Sequence, residues 1–167
     1  DKIINSFAPA IFGYNDIKLS ILLQLAGGVK TQKRGDINLF LIGDPSMAKS
    51  ELLKFASKLV TKSIYTSGRG SSAAGLTIGI VKMSDGRSIA QAGVLPMCDG
   101  GLACIDEFDK MGEQDRSAMH EAMEQQTVSI AKAGIAMTLP SRTSVLAAAN
   151  PKWGMYDSDN SLRDNIN

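Results

Sequence analysis

The segment Gly43-Asp44-Pro45-Ser46-Met47-Ala48-Lys49-Ser50 holds the residue types needed to grip a run of phosphates. That chemistry needs backbone N–H groups converging on an anion at a helix N-terminus, and a lysine that reaches the β and γ phosphates. It also needs a hydroxyl with a place on magnesium. Lys49 and Ser50 supply the last two. The general pattern has a second glycine directly before the lysine, and Ala48 stands there instead. On these residues alone, an ordinary strand–turn–helix connection that happens to contain Lys-Ser is the alternative.

A second constellation lies at the end of the apolar run Leu102–Ile105, where Asp106 and Glu107 are adjacent. Neighbouring residues on a strand point to opposite faces, which gives the two acids different roles. Asp106 is read as holding magnesium through its water shell, and Glu107 as orienting and deprotonating a water that attacks the γ-phosphate. Catalysis of that kind is mainly positioning and charge stabilisation. The plain alternative, an acidic pair capping the next helix, loses weight because a phosphate loop precedes it. The run Ala147-Ala148-Ala149 ends in Asn150. Strand ends in parallel sheets face the ligand crevice, so Asn150 is a candidate to touch the γ-phosphate or the attacking water. An asparagine before proline is otherwise a common turn starter. His120, the only histidine, falls mid-helix and reads as a packing or subunit-interface residue, not as a base or metal ligand. The two cysteines, Cys98 and Cys104, have neither zinc-knuckle nor disulfide-framework spacing, which points to a reducing interior. Cys104, inside an apolar run, reads as a small core residue.

Elements must hold these groups in place. Residues 15–26 carry apolar positions at helical spacing, with Asn15 or Asp16 as the cap and Gly27-Gly28 as the stop. Asn38–Ile42 reads as a buried strand entering the phosphate loop, and 49–60 as the helix behind it. Ile64–Thr66 is a second strand. Thr77–Met83 and Ser88–Leu95 form a hairpin about Ser84-Asp85-Gly86-Arg87, since Asp-Gly is a strong turn signal. Leu102–Ile105 is a third core strand. A helix follows over 113–126, with Ala118, Met119, Ala122 and Met123 on one face. Val128–Ala131 and Ile135–Leu139 make a second hairpin around Lys132-Ala133-Gly134, and Ser144–Ala149 is the last core strand. Short apolar strands alternating with helices predict an α/β domain with a parallel sheet and two inserted hairpins. The polar tail 151–167 has the look of a cut chain.

The 167 residues, 44% of them hydrophobic, suit one globular domain and exclude a disordered tail. No apolar run approaches the ~20 residues that span a bilayer, and the opening DKIINSFAP has no basic-then-apolar leader pattern. The net charge is only +1, so any nucleic-acid contact has to come from a few placed cations and not from the whole surface.

Gly43-Asp44-Pro45-x-x-Ala48-Lys49-Ser50 resembles the phosphate loop of the minichromosome maintenance (MCM) family, in which alanine normally replaces the second glycine. Cys104-Ile105-Asp106-Glu107-Phe108-Asp109-Lys110-Met111 resembles that family's Walker B segment. The stretch from His120-Glu121-Ala122-Met123-Glu124-Gln125-Gln126-Thr127 through Ser129-Ile130-Ala131-Lys132-Ala133-Gly134 is similar to the part joining Walker B to the next hairpin. The resemblance runs from about Phe7-Ala8-Pro9 to the end of the chain. Asn150-Pro151-Lys152-Trp153-Gly154-x-Tyr156 leans archaeal.

The resemblance implies a P-loop AAA+ ATPase that uses ATP and Mg2+ to unwind DNA during replication. It would act in a homo- or hetero-hexameric ring, away from membranes, in the cytoplasm or nucleoid of an archaeon or the nucleus of a eukaryote. Gly43 through Ser50 then correspond to Walker A, Asp106 and Glu107 to Walker B, and Asn150 to sensor 1. Ile11, Phe12 and Gly13 correspond to the segment against the adenine. The hairpin at 128–139 corresponds to the pre-sensor-1 hairpin, with Lys132 facing DNA phosphates without reading sequence. The hairpin at 77–95 corresponds to the helix-2 insert, with Lys82 and Arg87 near its tip, where solvated surface cations are the alternative. Ser46 departs from the family's usual glycine, at a cost on the order of 1 kcal/mol if that position needs a positive φ. Pro140 replaces a common asparagine and removes a backbone donor. The family's Ser-Arg-Phe arginine finger, last strand and helical lid have no counterpart in the 167 residues. The resemblance thus implies an incomplete motor domain with little ATPase and no helicase activity alone, and a bare sheet edge. Two other readings stand beside it. One is a nucleotide-binding scaffold without turnover. The other is a different AAA+ branch, such as a magnesium-chelatase-like subunit or a transcription activator, which Ala48 and the Ser-Ile-Ala-Lys-Ala-Gly hairpin oppose.

Overall fold

Three apolar runs and the mixed segment Ser63–Ser67 become the strands of one parallel sheet. A computed structural model of the chain describes residues 2–29 and 34–166. Its core strands are β1 (Leu39–Ile42), β2 (Ser63–Ser67), β5 (Leu102–Asp106) and β8 (Ser144–Ala149), in the order β1-β8-β5-β2. The two central strands are apolar between Ser144 at the start of β8 and Asp106 at the end of β5, because helices cover both faces of the sheet. Alternation then sorts their side chains. Leu102, Cys104, Leu146 and Ala148 pack with Phe7, Ile21, Leu52 and Leu53 on one face. Ala103, Ile105, Val145 and Ala147 pack with Leu95, Met111, Met119 and Val128 on the other.

The helices are α1 (Lys2–Ser6), α2 (Asn15–Ala26), α3 (Lys49–Leu59), α4 (Ala73–Leu76), α5 (Val94–Met97), α6 (Glu113–Gln125) and α7 (Leu162–Asn165). None of them is long and apolar enough to cross a membrane. The span of α2 matches the expectation, but its cap and its buried face do not. It starts from Tyr14 in the left-handed region (φ 56°) with no side-chain cap, so neither Asn15 nor Asp16 plays that part. Its buried positions are Lys18, Ile21 and Gln24, while Leu19 and Leu23 are exposed. Polar residues can face inward here because backbone carbonyls accept from them. Lys18 Nζ donates to Ile11 O at 2.6 Å, and Gln24 Nε2 donates to Val145 O at 2.8 Å. Gly27 (φ 69°) ends the helix as expected.

Two antiparallel hairpins project from the sheet, β3 (Ile78–Lys82) with β4 (Ser88–Ala92), and β6 (Thr127–Lys132) with β7 (Ile135–Pro140), and they lie against each other. The first is shorter than expected, because Val94 and Leu95 turn into α5. The strand stops at Gly93, where an added Cβ would meet Gly75 O at 2.5 Å, and Leu95 is buried. In the second hairpin Lys132 pairs with Ile135, so the turn itself is only Ala133-Gly134, both at positive φ (53° and 77°). Two consecutive positive φ values match the strand twist of a two-residue hairpin turn.

Along α6, Met119 and Ala122 are buried as expected. His120 is not a packing residue of this chain: its side chain is 74% exposed, with Nδ1 3.6 Å from a Glu124 carboxylate oxygen one turn on. The polar tail is ordered around Asn165, which is 1% exposed. Its amide accepts from Asp157 N at 2.8 Å and donates to the carbonyls of Asp157 and Ser161.

Candidate functional site

The loop Gly43–Ala48 joins β1 to α3 at the C-terminal end of the sheet, where a parallel fold places its ligand crevice. Ser46 (φ 65°) and Ala48 (φ 57°) both sit in the left-handed region, so two positions that favour glycine are held by residues with a Cβ. Each such residue costs about 1–3 kcal/mol and persists only where surrounding contacts fix it. Ala48 caps α3 without a side-chain hydrogen bond, which leaves first-turn N–H groups of that helix available to an anion.

Lys49 opens the helix and turns back into the loop. Its three ammonium donors go to Gly43 O (2.6 Å), Asp44 O (2.6 Å) and Asn150 Oδ1 (3.1 Å). Burial pulls its pKa below the usual lysine value against the opposing pull of Asp106, Asp44 and Asp109. Asn150 is fixed from the other side, its N–H donating to Asp109 Oδ1 at 3.0 Å. The ends of β1 and β8 thus meet through one lysine.

Asp106 is the last residue of β5 and only 8% exposed. Burial favours its neutral form. Donors from Ser50, Tyr65 and the Glu107 N–H, with the Lys49 charge, outweigh that and hold the carboxyl below its usual value. Glu107 leaves the strand in a left-handed conformation (φ 49°, ψ 44°). The two acids therefore separate through a backbone turn, not through strand alternation, and both line one cleft of about 340 Å³. The cleft is bounded by Pro45–Glu51, Asp106, Glu107, Ala149 and Asn150.

Three residues of the neighbouring strand and its exit were not singled out in the sequence. The Tyr65 hydroxyl donates to Asp106 Oδ2 (2.7 Å), and Ser67 Oγ donates to Glu107 Oε2 (2.8 Å). Gly68 lies so close that an added Cβ would stand 2.6 Å from Glu107 O. The signal was the parallel pairing of β2 with β5, which sets Ser67 opposite Asp106. No spacing within the sequence carries it.

The remaining candidates divide. Gly43 and Asp44 contribute carbonyls to Lys49, and the Asp44 carboxylate accepts from Tyr156 N at 2.6 Å. Ile11, Phe12 and Gly13 do not line the cleft, and Phe12 is 99% exposed. Their segment is brought beside the loop by Tyr14, whose hydroxyl lies 3.6 Å from Met47 Sδ. Lys132 and Lys82 are exposed on the hairpins, away from the cleft. Arg87 is paired with Asp85 at 2.6 Å. Cys98 and Cys104 are buried free thiols. Burial raises both, Cys104 to about 12, which keeps them protonated and unreactive.

The donor set fits a hard cation. Ser50 and Asp106 offer oxygens side by side, in hydrogen-bond contact, as Mg2+ prefers. Among the described residues no group of three or more His, Cys, Asp or Glu forms a metal cage. That suits an ion carried in with phosphates and held by one or two protein oxygens.

A family model, the MCM P-loop domain, matches residues 1–167. The chain is 53% identical to the DNA replication licensing factor MCM6 of Arabidopsis thaliana, over 100% of the chain and 21% of that protein. It is 56% identical to the DNA replication licensing factor mcm5 of Dictyostelium discoideum, over 99% of the chain and 22% of that protein. It is also 51% identical to the minichromosome maintenance protein MCM of Saccharolobus solfataricus, over 100% of the chain and 25% of that protein. Archaeal and eukaryotic relatives match about equally, so identity does not support the archaeal lean. The chain spans between a fifth and a quarter of the length of these relatives. With its phosphate loop, its acid pair and this likeness along its whole length, the chain belongs to the MCM family.

Proposed function

We propose that these 167 residues belong to an AAA+ domain and form the ATP-binding and ATP-hydrolysing core of a ring-shaped replicative DNA helicase. The observation that carries this reading is the convergence of Lys49, Ser50, Asp106, Glu107 and Asn150, from the ends of two parallel strands and one helix start, on a single cleft. When bound, ATP with Mg2+ supplies a γ-phosphoryl group already polarised for attack by water. Lys49 moves from loop carbonyls to phosphate oxygens, and the first-turn N–H groups of α3 hold the phosphate chain. Ser50 and Asp106 would hold the metal, Asp106 through its water shell. Glu107 takes the proton of the attacking water on a carboxylate oxygen, and Asn150 orients that water. Ile11, Phe12 and Gly13 lie against the base.

The relatives named as DNA replication licensing factors support the wider role: a homo- or hetero-hexamer, inside the cell, acting on DNA. Lys132, beside the turn of the second hairpin, makes the phosphate contact, repeated around the ring, with Lys82 and Arg87 secondary. This accords with a net charge of only +1, because symmetry gathers the cations that composition does not.

Titration with a fluorescent ATP analogue and magnesium tests the reading. Saturable binding that Lys49→Ala weakens at least about tenfold is expected, and equal binding by both proteins would overturn it. A scaffold without turnover is the second reading, favoured by the two strained loop residues and by Ser67 holding Glu107. Glu107→Gln separates the two: in a motor it prolongs ATP retention, and in a scaffold it changes nothing.

A further inference from the structure

Tyr65 occupies the middle of β2, opposite Cys104 of β5 and diagonal to Asp106, within the reach of a long aromatic side chain. Its hydroxyl donates to Asp106 Oδ2 at 2.7 Å, while the Glu107 N–H donates to Oδ1 at 2.9 Å. Each oxygen of this carboxylate therefore already accepts from the protein. We infer that Tyr65 sets the metal preference of the cleft, by holding Asp106 Oδ2 so that the carboxylate acts on the metal only through water.

The argument is one of coordination chemistry, and it rests on the nucleotide-binding reading above. Mg2+ gives up its waters reluctantly and is content with one or two carboxylates, bound or water-bridged, beside phosphate oxygens. Ca2+ takes six to eight oxygens, often both oxygens of one carboxylate. To seize Asp106 in that way, Ca2+ would have to compete with the tyrosine hydroxyl for Oδ2 and weaken a charge-assisted bond of the strong class. Mg2+ has no such need. Among the described residues no group of three or more His, Cys, Asp or Glu forms a metal cage, so the few protein oxygens at the metal, Asp106 first among them, weigh heavily in the outcome. Tyr65 touches neither metal nor nucleotide in this scheme. It is a positioning residue, of the outer-shell kind whose loss alters metal affinity on the order of 10- to 100-fold.

The test is made on the full chain, wild type and Tyr65→Phe, with a non-hydrolysable fluorescent ATP analogue. Mg2+ and Ca2+ are titrated separately, and the half-saturating concentration of each for tight analogue binding is read. Tyr65→Phe keeps the ring, which is 36% exposed on an edge strand, and an unchanged far-UV spectrum and melting point confirm the fold. The expected result is a shift of the Ca2+/Mg2+ preference toward Ca2+ by about tenfold, with metal-free analogue binding unchanged. In an Asp106→Asn background the same tyrosine change should move the ratio no further, which a general loosening of the strand would not reproduce. Wild-type binding with an unaltered ratio in Tyr65→Phe overturns the inference alone. Absence of analogue binding in the wild type overturns it together with the nucleotide reading.

Discussion

The two ends of the central sheet are built on opposite terms. At the C-terminal end, Ser46, Ala48 and Glu107 all sit at positive φ, and lysine, asparagine and two acids converge on an open cleft. At the N-terminal end the backbone is packed to the limit. Gly101 lies where an added Cβ would stand 2.0 Å from Lys62 O, the same carbonyl that accepts from Leu102 N at 3.0 Å. Asp99 there takes three hydrogen bonds from Arg142, through its backbone N–H (2.8 Å), Nε (3.0 Å) and a terminal amino group (2.8 Å). Those bonds hold its carboxyl at about 2. Asn38 Oδ1 accepts from Val145 N at 2.9 Å, tying β1 to β8. One end stores strain around groups that must meet a ligand, and the other satisfies its donors internally. The difference teaches where substitutions should cost function and where they should cost stability.

Three substitutions bear on that division. Lys49→Ala removes a charged donor from the cleft and should weaken analogue binding by about 1.5–3 kcal/mol, or ~10- to 150-fold in Kd. Its melting point should hold within about 2 °C, and a large loss of stability instead would erase the contrast between the ends. Gly101→Ala should do the reverse. Forcing a methyl against backbone costs about 1–3 kcal/mol, a drop of ~2–12 °C in Tm by calorimetry, while analogue affinity in the folded fraction stays at the wild-type value. Ser46→Gly should have the smallest effect and the opposite sign. Relief of the left-handed strain, less the entropy that glycine adds to the unfolded chain, leaves a gain of about 0.5–2 kcal/mol. A lower Tm for Ser46→Gly would show that the serine is supported by contacts worth more than its strain.

Much of the fold was legible because it is locally encoded. The four core strands and the helices over 15–26, 49–60 and 113–126 were placed within a residue or two from apolar runs and periodicity. The turn at Asp85-Gly86 followed from glycine's access to positive φ. Misreadings arose where a tertiary partner overrode the local signal. Val94 and Leu95 look like strand, yet Gly93 is pressed against Gly75 and the chain turns. The apolar leucines of α2 promise its buried face, yet Lys18 and Gln24 occupy it because the carbonyls of Ile11 in the preceding loop and Val145 in β8 accept from them. His120 does not pack within this chain, its side chain being 74% exposed, which removes the packing half of its reading and leaves the subunit-interface half standing.

The candidate site divides in the same way. The loop Gly43–Ser50, the acid pair Asp106-Glu107 and Asn150 are legible as candidates from the chain alone. Each is a short motif at the end of an apolar strand, and the rule that parallel strands present such ends to one crevice needs no coordinates. Only the tertiary structure decided that Lys49 bridges to Asn150, that Glu107 leaves β5 through a left-handed turn, and that Tyr65 and Ser67 hold the two acids. Those contacts span some 40 to 100 positions along the chain. They exist because parallel pairing fixes the register of β2 on β5 and of β8 between β5 and β1. Register between distant strands is set by packing of whole faces, a property that no single segment of sequence carries.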